Sequence, residues 1–292
     1  MKDPIRDIAC AGAIATLSCF SSGSLAAAIA LDVTVSSNAP AGGVYLTPLF
    51  VGFHDGSFDS YDGGQPSSAA LEMLAEDGDT SGLEAQLLAD TNGNGVTGTV
   101  AGLLAPGGSQ TSTFIVDSTS GNNYFSYASM VLPSSDYYVA NGNPFAWDIS
   151  DLLDGTSGSL SFNIGLPGTV NDAGTEINDF WTSAGNGLFA GTGLEMGGQS
   201  GPNQGADENG VNTNVSGDPF TDFIIQNQIG TILNIANNTL PLFNFNDSSL
   251  YPNGIATITI SAQAVPVPAA APLFVTAVLS MFGIRRFGRK HD

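Results

Sequence analysis

The chain has 292 residues, with 27 acidic and six basic side chains and a formal net charge of −21. All six basic residues lie near the two ends, so the body between Leu31 and Pro268 contains 24 Asp and Glu and no Lys or Arg. This excludes nucleic acid as a partner, because phosphate backbones are bound by Lys and Arg. Carboxylates in such a body must be hydrated, hydrogen-bonded, protonated or neutralised by cations.

The N-terminal segment, residues 1–30, predicts a secretory signal peptide. A weakly basic start precedes an apolar run at residues 8–20, and small residues at 24–30 offer cleavage sites, with cleavage expected after Ala30. A buried N-terminal helix, or lipid attachment at Cys19, is the alternative. Both cysteines of the chain lie inside this segment, so the mature protein is expected to contain neither a disulfide nor a thiolate metal site.

The body, residues 31–262, predicts one large all-β domain. Short β-branched and aromatic runs separated by Gly, Asn, Asp and Ser are typical of an antiparallel sandwich or barrel. A single helix is predicted at residues 71–88, although Gly78 and Gly82 interrupt it. The Gly- and Asn-rich segment 185–215 predicts a surface loop. Strands are predicted at residues 31–35, 45–53, 96–100, 111–116, 124–132, 159–164, 224–225 and 256–260.

The C-terminal segment, residues 263–292, has three parts in a fixed order. A Val-Pro-Val-Pro motif at residues 265–268 precedes a short apolar stretch at 271–284 and a basic cluster at 285–290. This order resembles the PEP-CTERM class of bacterial sorting signals in its VPxPA variant. The resemblance implies a Gram-negative, biofilm-forming bacterium, processing by an exosortase-type membrane protease, and only transient anchoring in the inner membrane. A simple tail anchor is the alternative.

Three blocks of the body resemble the spondin N-terminal domain found in F-spondin and mindin. They are residues 46–56 together with 71–79, residues 126–139, and residues 171–176. The resemblance implies an eight-stranded, C2-like antiparallel β-sandwich with one short helix. It also implies a calcium ion held by loops at one end, and a role in adhesion or matrix association.

The resemblance places metal-binding carboxylates at Asp136, Asp172 and Glu176. Glu176 departs from the pattern, which usually has Asp there. Oxygen donors of this kind are what Ca²⁺ requires, since it takes six to eight oxygen ligands. The alternatives are a turn role for Asp136 and a solvated loop for the other two residues.

A second calcium candidate is the segment 90–95, whose sequence Asp-Thr-Asn-Gly-Asn-Gly fits the first half of an EF-hand loop. The position of the bidentate acid is occupied by Ala101, so the motif is incomplete. An Asn-Gly hairpin explains the segment equally well.

Catalytic motifs are weak, and the sequence predicts that the protein is not an enzyme. The body has one histidine, His54, and no Gly-x-Ser-x-Gly elbow, so His54 is interpreted as a structural residue at a strand end. The acidic run 76–79 is interpreted as a solvated face beside the helix. Trp147 and Trp181 are assigned to the core rather than to sugar stacking.

Together these patterns predict an exported calcium-binding protein of the bacterial surface or extracellular polymer. Its expected partners are a polysaccharide or another surface protein. A carbohydrate-binding or matrix-structural module is the alternative, and a polysaccharide hydrolase is a distant one.

Overall fold

The computed structural model of the protein describes residues 28–176, 178, 210–216 and 242–263. In these ranges the strands are β1 (Ala28–Ser37), β2 (Tyr45–Leu46), β3 (Leu49–His54), β4 (Val96–Val100), β5 (Ser109–Asp117), β6 (Tyr124–Leu132), β7 (Tyr137–Ala140), β8 (Ser159–Ile164), β9 (Asn171–Asp172), β10 (Thr213–Asn214) and β11 (Ala256–Ala262). The helices are α1 (Ala69–Asp77), α2 (Ser81–Asp90) and α3 (Ser150–Leu153).

The strands form two antiparallel sheets that pack face to face. One has four strands in the order β5-β1-β11-β8, and the other has seven, in the order β10-β9-β7-β6-β3-β4 with β2 paired to β6. Helices α1 and α2 pack on the seven-stranded sheet, so the described residues form three layers. One apolar core lies between the sheets and a second lies beneath the helices. The predicted all-β antiparallel sandwich is confirmed, but the predicted eight strands and one helix are wrong, because the described residues form eleven strands, several of only two residues, and three helices.

Strand β3 shows why one sheet is buried on both faces. Alternate side chains point to opposite faces of a strand, so Val51 and Phe53 enter the core between the sheets while Phe50 packs beneath the helices. At Gly52 an added Cβ would lie 2.2 Å from Leu87 Cδ1, so glycine there allows α2 to approach the sheet. The continuous burial of this strand agrees with its predicted interior position.

The single helix predicted over residues 71–88 is wrong, because the chain forms two helices there. Helix α1 ends at Gly78, which adopts the left-handed conformation at φ +68° and donates its N–H to the carbonyl of Leu74. Gly82 instead lies inside α2, where an added Cβ would be 2.8 Å from Ala70 Cα. Close approach of the two helices therefore explains the second glycine. The short helix α3 was not predicted.

Strand β1 begins at Ala28, three residues before the predicted start of the domain. Ile29 pairs with Val116 of β5 and packs against the core between the sheets. The N–H of Gln263 donates to the carbonyl of Ala30 over 2.8 Å. Residues 28–30 are therefore part of the four-stranded sheet.

Part of the segment predicted as a surface loop is packed into the domain. Within residues 210–216, Asn212 is 1% exposed and accepts a hydrogen bond from the buried Tyr138 hydroxyl over 2.7 Å. Its side-chain amide donates to the carbonyl of Gln65 over 2.9 Å. The surface-loop prediction is therefore wrong for Asn212 and for Val215, which is also buried, whereas Thr213 and Asn214 of β10 are exposed.

Other predicted features lie outside the described residues. These are residues 1–27 of the signal peptide, the strand at 224–225, Trp181, and the sorting segment from residue 264 onward. Among the helices that are described, none has the length and apolar character needed to span a membrane.

Many surface carboxylates are satisfied within local turns. In four Asp-x-Ser/Thr turns of the described chain, one Asp oxygen accepts both the N–H and the hydroxyl of the residue two positions later, at distances of 2.5–3.0 Å. These hydrogen bonds lower the pKa of each aspartate. The aspartates are Asp55, Asp117, Asp148 and Asp247. Local N–H and O–H donors thus take the place of the absent Lys and Arg.

Candidate metal site

Asp136 lies in the tight turn that connects β6 to β7. The turn is held by Ser134, whose hydroxyl donates to the Val131 carbonyl over 2.5 Å and accepts the Tyr137 N–H over 2.9 Å. Asp136 is fully buried. Its carboxylate is therefore fixed at one end of the seven-stranded sheet.

The segment after β9 closes over Asp136. One carboxylate oxygen of Asp136, Oδ2, accepts the backbone N–H of Thr175 over 3.0 Å and that of Glu176 over 3.1 Å. The Asp136 carbonyl accepts the N–H of Ala173 over 3.2 Å. Two charge-assisted hydrogen bonds thus join this carboxylate to a segment about 40 residues away.

Asp172 is brought beside Asp136 by strand pairing. It lies on β9 opposite Tyr137, which directly follows Asp136. Its Oδ1 accepts the Gly174 N–H over 2.7 Å, and Asn178 donates to its Oδ2 over 2.8 Å. Burial raises the pKa of Asp172 above its ordinary value, and its hydrogen bonds with Asn178, Gly174 and Asp136 oppose that rise.

All three predicted ligands are buried, with exposed fractions of 0% for Asp136, 8% for Asp172 and 1% for Glu176. The solvated-loop alternative for Asp172 and Glu176 is therefore wrong. The structure brings the two aspartates together and places the backbone of Glu176 against Asp136. However, no set of three or more His, Cys, Asp or Glu side chains among the described residues is arranged to hold a metal ion.

A further buried carboxylate, Glu76, was missed by sequence reasoning. The acidic run 76–79 predicts a solvated face, but Glu76 is fully buried on α1. Gly78, two residues on, packs against the Thr47 side chain, and the Thr47 N–H donates to the Met130 carbonyl near the end of β6. The last turn of α1 therefore lies over the strand end that leads to Asp136. The sequence of residues 76–79 does not indicate that Glu76 is buried, because the strands that cover it lie far away along the chain.

The segment 90–95 is the connection between α2 and β4. Asp90 is the last residue of the helix and is exposed, while Asn92 and Gly93 take positive φ values of 52° and 79°. Thr91 organises the turn, since its hydroxyl donates to the Leu87 carbonyl over 2.8 Å and accepts the Gly95 N–H over 2.9 Å. The hairpin interpretation is wrong, because the segment follows a helix rather than a strand.

His54 forms a buried pair with Ser126 beneath the helices. The Gly56 N–H lies 3.1 Å from Nδ1, which must therefore accept, and Nε2 then donates to the Ser126 hydroxyl over 2.8 Å. A general base would need a free Nε2 lone pair facing the serine, which is the opposite arrangement. Burial lowers the pKa of His54 to about 4, and both side chains are fully buried. This geometry agrees with a structural role at the end of β3.

Trp147 packs in parallel on Phe162, with ring centroids 3.5 Å apart and an interplanar angle of 11°. It is half-buried against the core between the sheets. This agrees with its assignment to packing.

Comparison with known families gives a partial match, which covers the strands that carry Asp136. No curated protein matches the chain. The family model described as Spondin_N matches residues 36–142, from β1 to just past β7, and includes Asp136 but not Asp172 or Glu176. This match supports a spondin N-terminal domain in the chain.

Proposed function

We propose that this protein is an exported, calcium-binding spondin-like domain protein that acts in adhesion or matrix association at the bacterial surface or in extracellular polymer. The observation that carries the proposal is the meeting of the buried Asp136 and Asp172 next to Glu176, in a body without Lys or Arg. The Spondin_N match supports the extracellular module.

The chemistry of these residues suits a divalent cation. A buried carboxylate costs several kcal/mol unless it is hydrogen-bonded, protonated or neutralised by a cation. The hydrogen bond between Asp136 and Asp172 requires a proton shared by the two carboxyl groups, and a bound cation would take the place of that proton. Hard carboxylate oxygens favour Ca²⁺ or Mg²⁺ over softer metals.

The ligand set would combine side chains with backbone and water oxygens. Asp136 and Asp172 would hold the ion, and Glu176 would approach from the segment after β9. Because Ca²⁺ accepts carbonyl and water oxygens and tolerates irregular geometry, a site short of three carboxylates remains suitable for it. The ion would supply structural charge neutralisation and fix the segment after β9.

Calcium titration with thermal unfolding tests the site. We expect millimolar Ca²⁺ to raise the melting temperature of the purified mature protein in a background of 100 mM KCl, and EGTA to reverse the shift. Asp172→Asn and Asp136→Asn should each remove the calcium-dependent part. Asp117→Asn is the matched control, because that carboxylate is exposed and serves a local turn. Equal melting temperatures with Ca²⁺ and with EGTA would refute the site.

The proposal assigns no catalytic activity. It is supported by the buried His54–Ser126 pair, whose hydrogen-bond direction is the reverse of that in a nucleophile–base pair. Release of reducing ends from any polysaccharide by the purified protein would contradict this assignment.

A further inference from the structure

The outer surface of the four-stranded sheet carries an ordered grid of small polar side chains, which we name the hydroxyl face. Outward residues of β5, β1, β11 and β8 align in three rows of four across the sheet. The first row is Ser109, Ser36, Thr257 and Asn163; the second is Thr111, Thr34, Thr259 and Ser161; the third is Thr113, Asp32, Ser261 and Ser159. Each of these side chains is exposed or half-exposed.

Hydrogen bonds between neighbouring strands fix the side chains of the hydroxyl face. The hydroxyls of Thr34 and Thr111 lie 2.8 Å apart, and those of Ser161 and Thr259 lie 2.9 Å apart. The first row contains equivalent pairs, Ser36 with Ser109 and Thr257 with Asn163, each at 2.9 Å. A hydroxyl has one donor and two acceptor sites, so each pair keeps capacity for an external partner. Short side chains held in this way lose little conformational entropy on binding.

Charge distribution separates this face from the rest of the body. Of its twelve side chains only Asp32 is ionisable, and its carboxylate accepts from Thr113 and from Gln263 over 2.5–2.9 Å. The body as a whole carries 24 acidic side chains and no Lys or Arg. A cationic partner would prefer those other surfaces, and an anionic partner would be repelled by them. The hydroxyl face therefore matches an uncharged partner.

The lack of large side chains argues against a protein partner. Protein interfaces depend on a buried centre rich in Tyr, Trp, Phe, Met and Arg, none of which occurs among the twelve residues. The grid instead repeats at about 4.8 Å across strands and about 6.8 Å along them, a spacing of the same order as a sugar ring. Threonine methyl groups, together with the exposed Ile115 next on β5, offer apolar contacts to the C–H faces of sugars.

We propose that the hydroxyl face binds an extended, uncharged polysaccharide. The grid would exchange hydrogen bonds with sugar hydroxyls along two or more neighbouring antiparallel strands. The proposal shares the extracellular setting of the proposed function but does not depend on the calcium site, which belongs to the other sheet. Binding is accordingly expected to persist in EGTA, so failure of either proposal can be recognised separately.

Co-sedimentation of the purified protein with amorphous cellulose and with chitin, both uncharged, tests the proposal. Thr259→Arg places a long charged side chain in the central row, and we expect it to reduce affinity about tenfold or more. The double variant Thr34→Val, Thr111→Val removes one hydroxyl pair with little change of shape and should also weaken binding. Ala89→Arg is the control, because it adds the same side chain at an exposed position of α2 on the opposite layer.

The melting temperature of every variant is measured to check that the variant folds. Three outcomes would overturn the proposal. One is a folded Thr259→Arg protein that binds as the wild type does, and another is no binding of wild type to either polysaccharide. The third is polysaccharide binding that EGTA abolishes, which would assign the binding to the candidate calcium site instead of the hydroxyl face. Dimerisation that Thr259→Arg abolishes, without polysaccharide binding, would identify a second copy of the chain as the occupant instead.

Discussion

Asp136 Oδ2 lies 3.1 Å from the backbone nitrogen of Glu176, so a carboxylate of the β6–β7 turn accepts a hydrogen bond from the segment after β9. It also accepts the neighbouring Thr175 N–H over 3.0 Å. A buried acceptor shared by two backbone donors holds both segments in place, with or without a metal ion.

Replacing Asp136 by Ala should therefore destabilise the protein even in EGTA. Two N–H groups would lose their charged acceptor, which is worth about 3 kcal/mol of unfolding free energy. Urea denaturation measures the change. Asp117→Ala, in an exposed turn, should cost much less. Equal losses in the two variants would show that the Asp136 contacts contribute nothing beyond a surface turn.

His54 should make the protein less stable as the pH falls. Its pKa is lowered from 6.5 to about 4 in the folded protein, so between these values the unfolded chain binds a proton that the folded chain does not. The unfolding free energy then decreases as pH falls, by about 2 kcal/mol between pH 7 and pH 5. Carboxylates also titrate near the lower end, so the comparison is with His54→Asn, whose amide oxygen can replace Nδ1 as acceptor for Gly56. The difference between the two proteins should shrink on acidification; a constant difference would contradict the prediction.

Gly78 should be intolerant of a side chain for two separable reasons. Its φ is +68°, and an added Cβ would lie 2.7 Å from Thr47 Cγ2. Gly78→Ala should cost about 1–3 kcal/mol in urea denaturation. Gly64→Ala is the control for strain alone, because Gly64 has φ +78° and an added Cβ meets nothing within 4 Å. If both variants lose the same stability, the contact with Thr47 is unimportant.

The position of β1 predicts where an export signal is removed. Ala28, Ile29 and Ala30 pair with Asp117, Val116 and Ile115, so removing them would shorten the interior strand β1 and leave the end of β5 unpaired. We expect the mature protein to begin at or before Ala28. Intact-mass spectrometry of exported protein measures this end directly. A mature chain that begins at Leu31, as small-residue spacing alone suggests, would contradict the expectation.

Removal of residues 265–292 should change where the protein is found. If this segment is a sorting signal, the truncated protein should move from the cell-surface fraction to the soluble exported fraction. Cell fractionation with immunoblotting measures the distribution. Replacing Arg285 and Arg286 by Gln is a milder variant that leaves the apolar stretch intact. Identical fractionation of the intact and truncated chains would argue against the signal.

Sequence patterns predicted the strands well where local periodicity determines them. The alternation in β1 and β11 correctly indicated one buried and one exposed face, because each strand alternates between the core and the hydroxyl face. Strand β7 was not predicted, since its four residues are buried on both faces and show no alternation. The two-residue strands β9 and β10 depend wholly on long-range pairing, which no local pattern encodes.

Only part of the candidate site could be predicted from the sequence, because its surroundings also depend on contacts between distant parts of the chain. Asp136 and Asp172 were identified through a family resemblance, and the structure adds their burial and proximity. Glu76 was missed, because its environment is created when α1 packs over strands contributed by distant parts of the chain. The polar run in which it lies has the composition of an exposed surface.

The Asp-x-Ser/Thr turns have a consequence for life in brine or sea water. Their aspartates rely on uncharged N–H and O–H donors two residues away, and such short hydrogen bonds are not weakened by dissolved ions. Mutual repulsion among the remaining acidic groups is weakened by those ions. Added salt should therefore raise the unfolding free energy of this body, whereas it would lower that of a protein stabilised by surface ion pairs.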